Sequence, residues 1–262
     1  MQLEQATVIA HAPIQGSYNL LQMRAPGVAA RVQPGQFIHV KVPYLEECIL
    51  RRPFSIFRAD GESLSILYKD VGKGTRTLQY LEPGESLSIL GPLGHGFPEV
   101  SAGHFPVLIA GGYGMAALYL VAQRSPVKGV AFFGGRSAQD ILCVPEFEAL
   151  GWKVLVTTED GSLGQRGLVT DALDAWWARE GSAHSPELFV CGPGGMLKAA
   201  ARRAEERNCP AWTSVDNNMG CGVGACLTCV LKVKDGESWT WARACREGPV
   251  FNSRDILWEE LA

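Results

Sequence analysis

Four cysteines toward the C-terminal end carry the sharpest chemical pattern in the chain. Cys221, Cys226, Cys229 and Cys245 are spaced C-x4-C-x2-C-x15-C, and the first three share a loop with Gly220, Gly222 and Gly224. Four thiolates are what a [2Fe-2S] cluster requires, and glycines let backbone N–H groups approach its sulfides and spread their negative charge. The first three follow the plant-type ferredoxin spacing. The alternative is a zinc site with four cysteine ligands, which would lend folding energy to a tail too small to bury much by itself. Zinc ligands usually come as two separated C-x2-C pairs, whereas here three fall within nine residues and the fourth stands alone. The cluster is the favoured reading. Cys48, Cys143 and Cys209 have no partner spacing and read as packing residues.

Two further groups of residues suit phosphate and flavin chemistry. Arg51-Arg52-Pro53-Phe54-Ser55 opens a strand. An arginine there can pair with a pyrophosphate, proline fixes the backbone, and a hydroxyl two residues on can hydrogen-bond a flavin. Alone, the motif fits a surface arginine pair equally well. Leu67-Tyr68-Lys69 on the next strand and Gly72-Lys73-Gly74-Thr75 at the start of a short helix strengthen it, because a glycine-flanked helix N-terminus receives anions. Farther on, Gly111-Gly112-Tyr113-Gly114, Gly134-Gly135-Arg136 and Cys191-Gly192-Pro193-Gly194 each follow an apolar run. Glycines at the carboxyl ends of parallel strands line the crevice where such sheets bind nucleotides. The first turn lacks the full G-x-G-x-x-G spacing. Cys191 could face a nicotinamide, and a buried small residue is an equal reading.

The elements that must position these groups fall into two patterns. Up to about residue 100, short β-rich runs such as Thr7–Ala10, Gln36–Val40, Ser63–Tyr68 and Ser86–Leu90 alternate with Pro-Gly and Asp-Gly turns, which predicts an antiparallel barrel or sandwich with one short helix at Thr75–Leu81. From about 105, the runs Val107–Ala110, Val130–Phe133, Lys153–Thr157 and Glu187–Val190 alternate with helical stretches at Ala116–Arg124, Val144–Leu150, Leu168–Arg179 and Met196–Arg207. That order predicts a parallel sheet with helices on both faces. Ala211–Val215 reads as a fifth strand, and Val230–Val233 with Trp239–Trp241 as a hairpin around Asp235-Gly236. The expected divisions are residues 1–103, 104–210 and 211–262.

Composition excludes several classes. The chain has 262 residues, 47% of them hydrophobic and 19% charged, enough for sizeable cores and too uncharged for disorder. With 24 Lys and Arg against 27 Asp and Glu, the net charge of -3 offers no basic field for nucleic acid. The first residues show no basic segment followed by an apolar one, so a cytoplasmic protein with no membrane partner is expected. Eighteen uncharged residues, 105–122, are interrupted by the Gly111-Gly112 turn and read as strand, turn and helix. His11, His39, His95, His104 and His184 lack ligand spacing and read as structural or exposed.

The order Arg52-Pro53-Phe54-Ser55, Gly91-Pro92-Leu93-Gly94, Gly111-Gly112-Tyr113-Gly114, Cys191-Gly192-Pro193 and then the four cysteines resembles the ferredoxin reductase superfamily over nearly the whole chain. Thr158–Gly164, Met219–Cys226 and Gly248–Phe251 are similar to the electron-transfer subunits of class B, NAD-dependent dihydroorotate dehydrogenases. The chain departs from the family pattern at Tyr113, where a glycine is usual, and at Ala117, where proline is frequent. The resemblance implies an antiparallel FAD-binding β-barrel, a parallel-sheet α/β nicotinamide domain and a C-terminal [2Fe-2S] segment. It implies FAD contacts at Arg52, Pro53, Phe54, Ser55, Leu67, Tyr68, Lys69, Gly74 and Thr75. NAD is expected at Gly111, Gly112, Gly114, Gly192 and Pro193, with Cys191 as the candidate catalytic residue and Cys221, Cys226, Cys229 and Cys245 as cluster ligands. It also implies a partner, an FMN-containing catalytic subunit that oxidises dihydroorotate to orotate for pyrimidine biosynthesis, in a heterotetramer. Reductase subunits serving a sulfide dehydrogenase, a ferredoxin-NADP oxidoreductase or a hydrogenase share these motifs, and a zinc-stapled binding module is the non-enzymatic alternative.

Overall fold

The structure, a computed structural model, describes residues 1–47 and 49–260. Cys48, read as a packing residue, lies outside the described residues. Six strands, β1 (Gln2–Gln15), β2 (Tyr18–Arg24), β3 (Phe37–Val40), β4 (Arg52–Asp60), β5 (Ser63–Lys69) and β6 (Ser86–Leu93), close into an antiparallel barrel in the order β1-β2-β5-β4-β3-β6. Side chains alternate across each strand. Ile38, Val40, Ile56, Leu64, Ile66, Leu87 and Ile89 therefore fill the barrel. Two short helices, α1 (Pro26–Ala29) and α2 (Lys73–Leu78), send Val28 and Leu78 into the same core. The sequence patterns do not announce β2, and the reason is physical. Leu21 and Met23 enter the barrel while Tyr18 and Leu20 pack outward onto the second domain, so both faces are apolar and the alternation is masked.

The second domain is built from β7 (Phe105–Gly111), α3 (Gly114–Arg124), β8 (Val130–Gly135), α4 (Val144–Ala149), β9 (Lys153–Thr158), β10 (Gln165–Arg166), α5 (Val169–Arg179), β11 (Pro186–Cys191), α6 (Gly194–Glu206) and β12 (Ala211–Ser214). Its sheet runs β10-β9-β8-β7-β11-β12-β15, parallel except for the last strand, β15 (Val250–Asn252). Alternate residues feed opposite faces. Leu108, Ala131, Phe133 and Phe189 pack under α3 and α4, and Val107, Ile109, Phe132 and Val190 pack under α5 and α6. Nine of the eleven residues of α3 are buried, because this helix lies between sheet and barrel. Tyr119 on it meets Phe57 of β4 with ring centroids 4.8 Å apart. A helix apolar all round belongs in such a place.

The last segment is a hairpin, β13 (Val230–Asp235) and β14 (Ser238–Arg243), joined around Asp235-Gly236 as expected. Leu231 and Ala242 pack with Cys229 and Cys245 against Phe37 and Leu93 on the outside of the barrel. The chain then returns to the α/β sheet as β15, so that sheet takes two strands from beyond residue 210. No helix among the described residues is long and apolar enough to cross a membrane.

Candidate functional site

A cavity of about 420 Å³ opens on the outside of the barrel. Its wall includes Arg52, Pro53, Phe54, Ser55, Leu67, Tyr68, Lys69, Gly74 and Thr75, all nine residues expected at the flavin, together with Cys191. Their gathering follows from topology: β4 and β5 are adjacent, and α2 follows β5 directly. The two arginines separate. Arg51 turns to β6 and donates to the Ser88 carbonyl and hydroxyl at 2.8 and 2.9 Å, while Arg52 stays on the cavity wall. Phe54 meets Tyr68 edge-on at 5.7 Å. His11 orients Tyr68: its Nδ1–H donates to the Leu81 carbonyl at 3.1 Å, so Nε2 accepts the Tyr68 hydroxyl at 2.9 Å. Burial raises the phenol, which stays protonated. The Thr75 hydroxyl accepts from the amides of Val71 and Gly72 at 3.0 Å and fixes the loop into α2.

A second cavity of about 620 Å³ lies at the carboxyl ends of the parallel strands. The strand order reverses between β7 and β11, which is where such sheets bind ligands. Gly111 at the end of β7, Gly112 after it, and Gly192 and Pro193 after β11 line it, as do Arg136 and Glu159. Gly114 does not lie on that wall. It is buried at the start of α3, where an added Cβ would stand 2.2 Å from the Cys191 carbonyl oxygen, so its task is close packing of helix on strand.

Lys69, Val71 and Tyr113 belong to both cavities. Lys69 is anchored to Asp140 at 3.0 Å, a hydrogen bond that raises its ammonium pKa, and Tyr18 donates to the same carboxylate oxygen at 2.9 Å. Tyr113 donates to Asp216, on the wall of the barrel-side cavity, at 2.5 Å. Tyr18, Asp140 and Asp216 carried no sequence motif; only Tyr113 stood out, as a departure from the family glycine. Cys191 ends β11 on the wall of the barrel-side cavity, beside Ser214. Burial pushes its thiol up to about 12. It is a neutral thiol at neutral pH, unsuited to nucleophilic work.

The four C-terminal thiols sort two and two. The Cys226 amide donates to the Cys221 sulfur at 3.4 Å, as the amides of Val223 and Ala225 do at 3.4 and 3.2 Å. The Cys245 amide donates to the Cys229 sulfur at 3.4 Å. Backbone N–H groups thus already face sulfur, and the Thr228 hydroxyl donates to Cys226 at 3.2 Å. Among the described residues, no three His, Cys, Asp or Glu side chains converge on a point that would hold one ion. Four thiols in one segment, with backbone amides turned to two of the sulfurs, are the donor set that a [2Fe-2S] core takes. Cys143 and Cys209 are half-buried and buried packing residues.

Comparison with known proteins places this arrangement. Residues 216–257 match the iron-sulfur cluster binding domain of dihydroorotate dehydrogenase B. The chain is 36% identical, over 97% of its length and 98% of the relative's, to the dihydroorotate dehydrogenase B (NAD(+)) electron transfer subunit of Desulforamulus reducens. To the same subunit of Bacillus caldolyticus it is 39% identical, over 86% of its length and 87% of that chain. Its fold superimposes on a structure of the NADH-dependent reduced ferredoxin-NADP oxidoreductase with a TM-score of 0.84, at 25% identity, covering 98% of this chain and 91% of that one. With a barrel cavity, a nucleotide crevice and four paired thiols in one chain of matching length, the protein belongs to the family of dihydroorotate dehydrogenase B electron transfer subunits.

Proposed function

We propose that this chain passes electrons between a partner's FMN, where dihydroorotate is oxidised to orotate, and NAD+. The observation that carries the reading is contiguity. The barrel cavity shares Tyr113, Lys69 and Val71 with the nucleotide crevice, while Phe37 on its wall packs in one core with Cys229 and Cys245. When bound, FAD and the [2Fe-2S] cluster supply the exchange between paired and single electrons.

The protein's own part is to bind and orient. Arg52 would hold the FAD pyrophosphate by charge-assisted hydrogen bonds, with the first-turn amides of Gly74 and Thr75 available beside it. Phe54, Leu67 and Tyr68 would grip the ring, with Ser55 as a hydroxyl partner. Gly111, Gly112, Gly192 and Pro193 would admit NAD(H), and Tyr113, held by Asp216, stands on the wall common to both cavities. Cys191, a neutral thiol, would serve as a contact to the ring system. Cys221, Cys226, Cys229 and Cys245 would ligate the cluster. In this division residues 1–103 serve FAD and 104–210 NAD(H), while of 211–262 the strands β12 and β15 complete the α/β sheet and the remainder serves the cluster, in a cytoplasmic heterotetramer with the catalytic subunit and with no role for membrane or nucleic acid. The likeness to the ferredoxin-NADP oxidoreductase favours, as second reading, a reductase subunit serving another redox partner.

Mixing the purified chain with an FMN-containing dihydroorotate dehydrogenase catalytic subunit tests both. A stable complex that reduces NAD+ when given dihydroorotate is the expected result. No complex, with NADH oxidation by this chain intact, favours the second reading.

A further inference from the structure

Lys69, Val71 and Tyr113 stand on the wall common to the barrel cavity and the nucleotide crevice. Lys69 is engaged by Asp140, and the side chain of Val71 has no polar group. Tyr113 brings an aromatic ring to that border, and it is held at both ends. At its base, Gly112 turns the chain with φ +54°, and Gly114 packs so closely that a Cβ there would stand 2.2 Å from the Cys191 carbonyl oxygen, so the backbone is fixed on either side. At its tip, the hydroxyl donates to Asp216 at 2.5 Å, a charge-assisted hydrogen bond between positions 103 residues apart. Asp216 is itself placed by the sheet: Ser214 pairs with Val250 of β15, and the Val215 amide donates to the Pro249 carbonyl at 2.9 Å. The phenol also feels Cys191, on the wall of the barrel cavity, and Tyr18, on the wall of the crevice. Partial burial and the charge of Asp216 raise its pKa, so it stays a donor. At 42% exposure the residue is open to a ligand from either side. A ring ordered in this way loses little further freedom when a ligand meets it.

We propose that Tyr113 is a positioning residue for hydride transfer, its tethered ring seating the nicotinamide end of NAD(H) against the flavin at the border of the two cavities. This rests on the flavin and nucleotide reading above and adds a residue to it. Reduction of FAD by NADH moves one hydride, carrying both electrons of the broken C–H bond, from the dihydronicotinamide to the flavin, and leaves NAD+ and the anionic reduced flavin. Tyr113 exchanges neither proton nor electron in that step. It limits the orientations in which the two rings meet, and a misplacement of about 1 Å can slow such a step about a hundredfold.

The test compares the full chain carrying FAD and cluster with Tyr113→Phe, which keeps the ring and loses the tether, with Asp216→Ala, which removes the acceptor, and with the double variant. Two readouts are taken under anaerobic conditions: the change in flavin absorption on binding tetrahydro-NAD, an NADH analogue with no hydride to give, and stopped-flow bleaching of the flavin by NADH. In Tyr113→Phe the limiting bleaching rate is expected to fall about tenfold while the Kd for NADH stays within about twofold, and the absorption change with the analogue should differ from that of wild type. Asp216→Ala should behave alike, and the double variant should be no slower than either single one, because both remove the same hydrogen bond. An unchanged limiting rate and absorption change in Tyr113→Phe, or losses that add in the double variant, overturn the proposal. Should Asp216→Ala lose its cluster, Tyr113→Phe decides alone by the same two readouts. Wild-type protein that takes up FAD and is not bleached by NADH overturns the two-cavity reading itself, a different failure.

Discussion

The barrel cavity and the nucleotide crevice adjoin, yet they are built by opposite means. The first is walled by side chains with their own chemistry: the Arg52 guanidinium, the Ser55 hydroxyl, the Tyr68 phenol and the apolar faces of Phe54 and Leu67. Eight of the twenty residues that wall the second are glycine or proline, so much of its shape comes from what those residues lack. A site made of side chains tolerates backbone change and fails when a functional group is removed. A site made of absences behaves in reverse.

Cys191 sharpens the contrast most, because it sits on the side-chain wall while ending a strand of the glycine-rich sheet. Its thiol is held at about 12, so its thiolate fraction rises tenfold per pH unit and stays minute at pH 8. Iodoacetamide should label it about three orders of magnitude more slowly than a free cysteine at pH 8, read by peptide mass spectrometry. Rapid labelling at that pH would mean an exposed, activated thiol. Next comes Gly114→Ala, whose methyl would meet the Cys191 carbonyl at 2.2 Å, a backbone atom that cannot step aside. A loss of about 3 kcal/mol in urea unfolding is expected, and a neutral result would break the packing account. Arg52→Ala should weaken FAD binding by about 2 kcal/mol, roughly thirtyfold, with NADH affinity at the crevice unchanged. Equal loss at both ligands would dissolve the distinction between the two sites. Gly72→Ala is the control: its backbone is extended and nothing lies within 4 Å of the added methyl, so stability should move by no more than about 0.5 kcal/mol.

The same contrast explains what could be read in advance. Arg52–Ser55, Leu67–Lys69 and the cysteine spacing are legible because each names a functional group, and adjacent strands or one loop bring the parts together. The parallel sheet is legible from alternating strand and helix patterns, and residues 105–122 resolve into β7, a turn and α3 as expected. β2 is hidden because it serves two cores at once. Gly114 reads as a cavity glycine in one dimension, but the turn into α3 carries it behind the wall. His39 reads as structural or exposed, since its burial depends on the cluster loop docking over β3 from far along the chain. Tyr113 with Asp216, and Lys69 with Asp140, join segments that share no local pattern.

The central claim is that one chain holds flavin, cluster and nucleotide in contact, and the most direct test is the absorption spectrum of anaerobically purified protein with flavin, iron, sulfide and zinc analysis, followed by NADH. The account predicts FAD together with iron and sulfide in the two-to-two ratio of a [2Fe-2S] cluster, both bleached by NADH. A colourless protein carrying stoichiometric zinc and no flavin would contradict it.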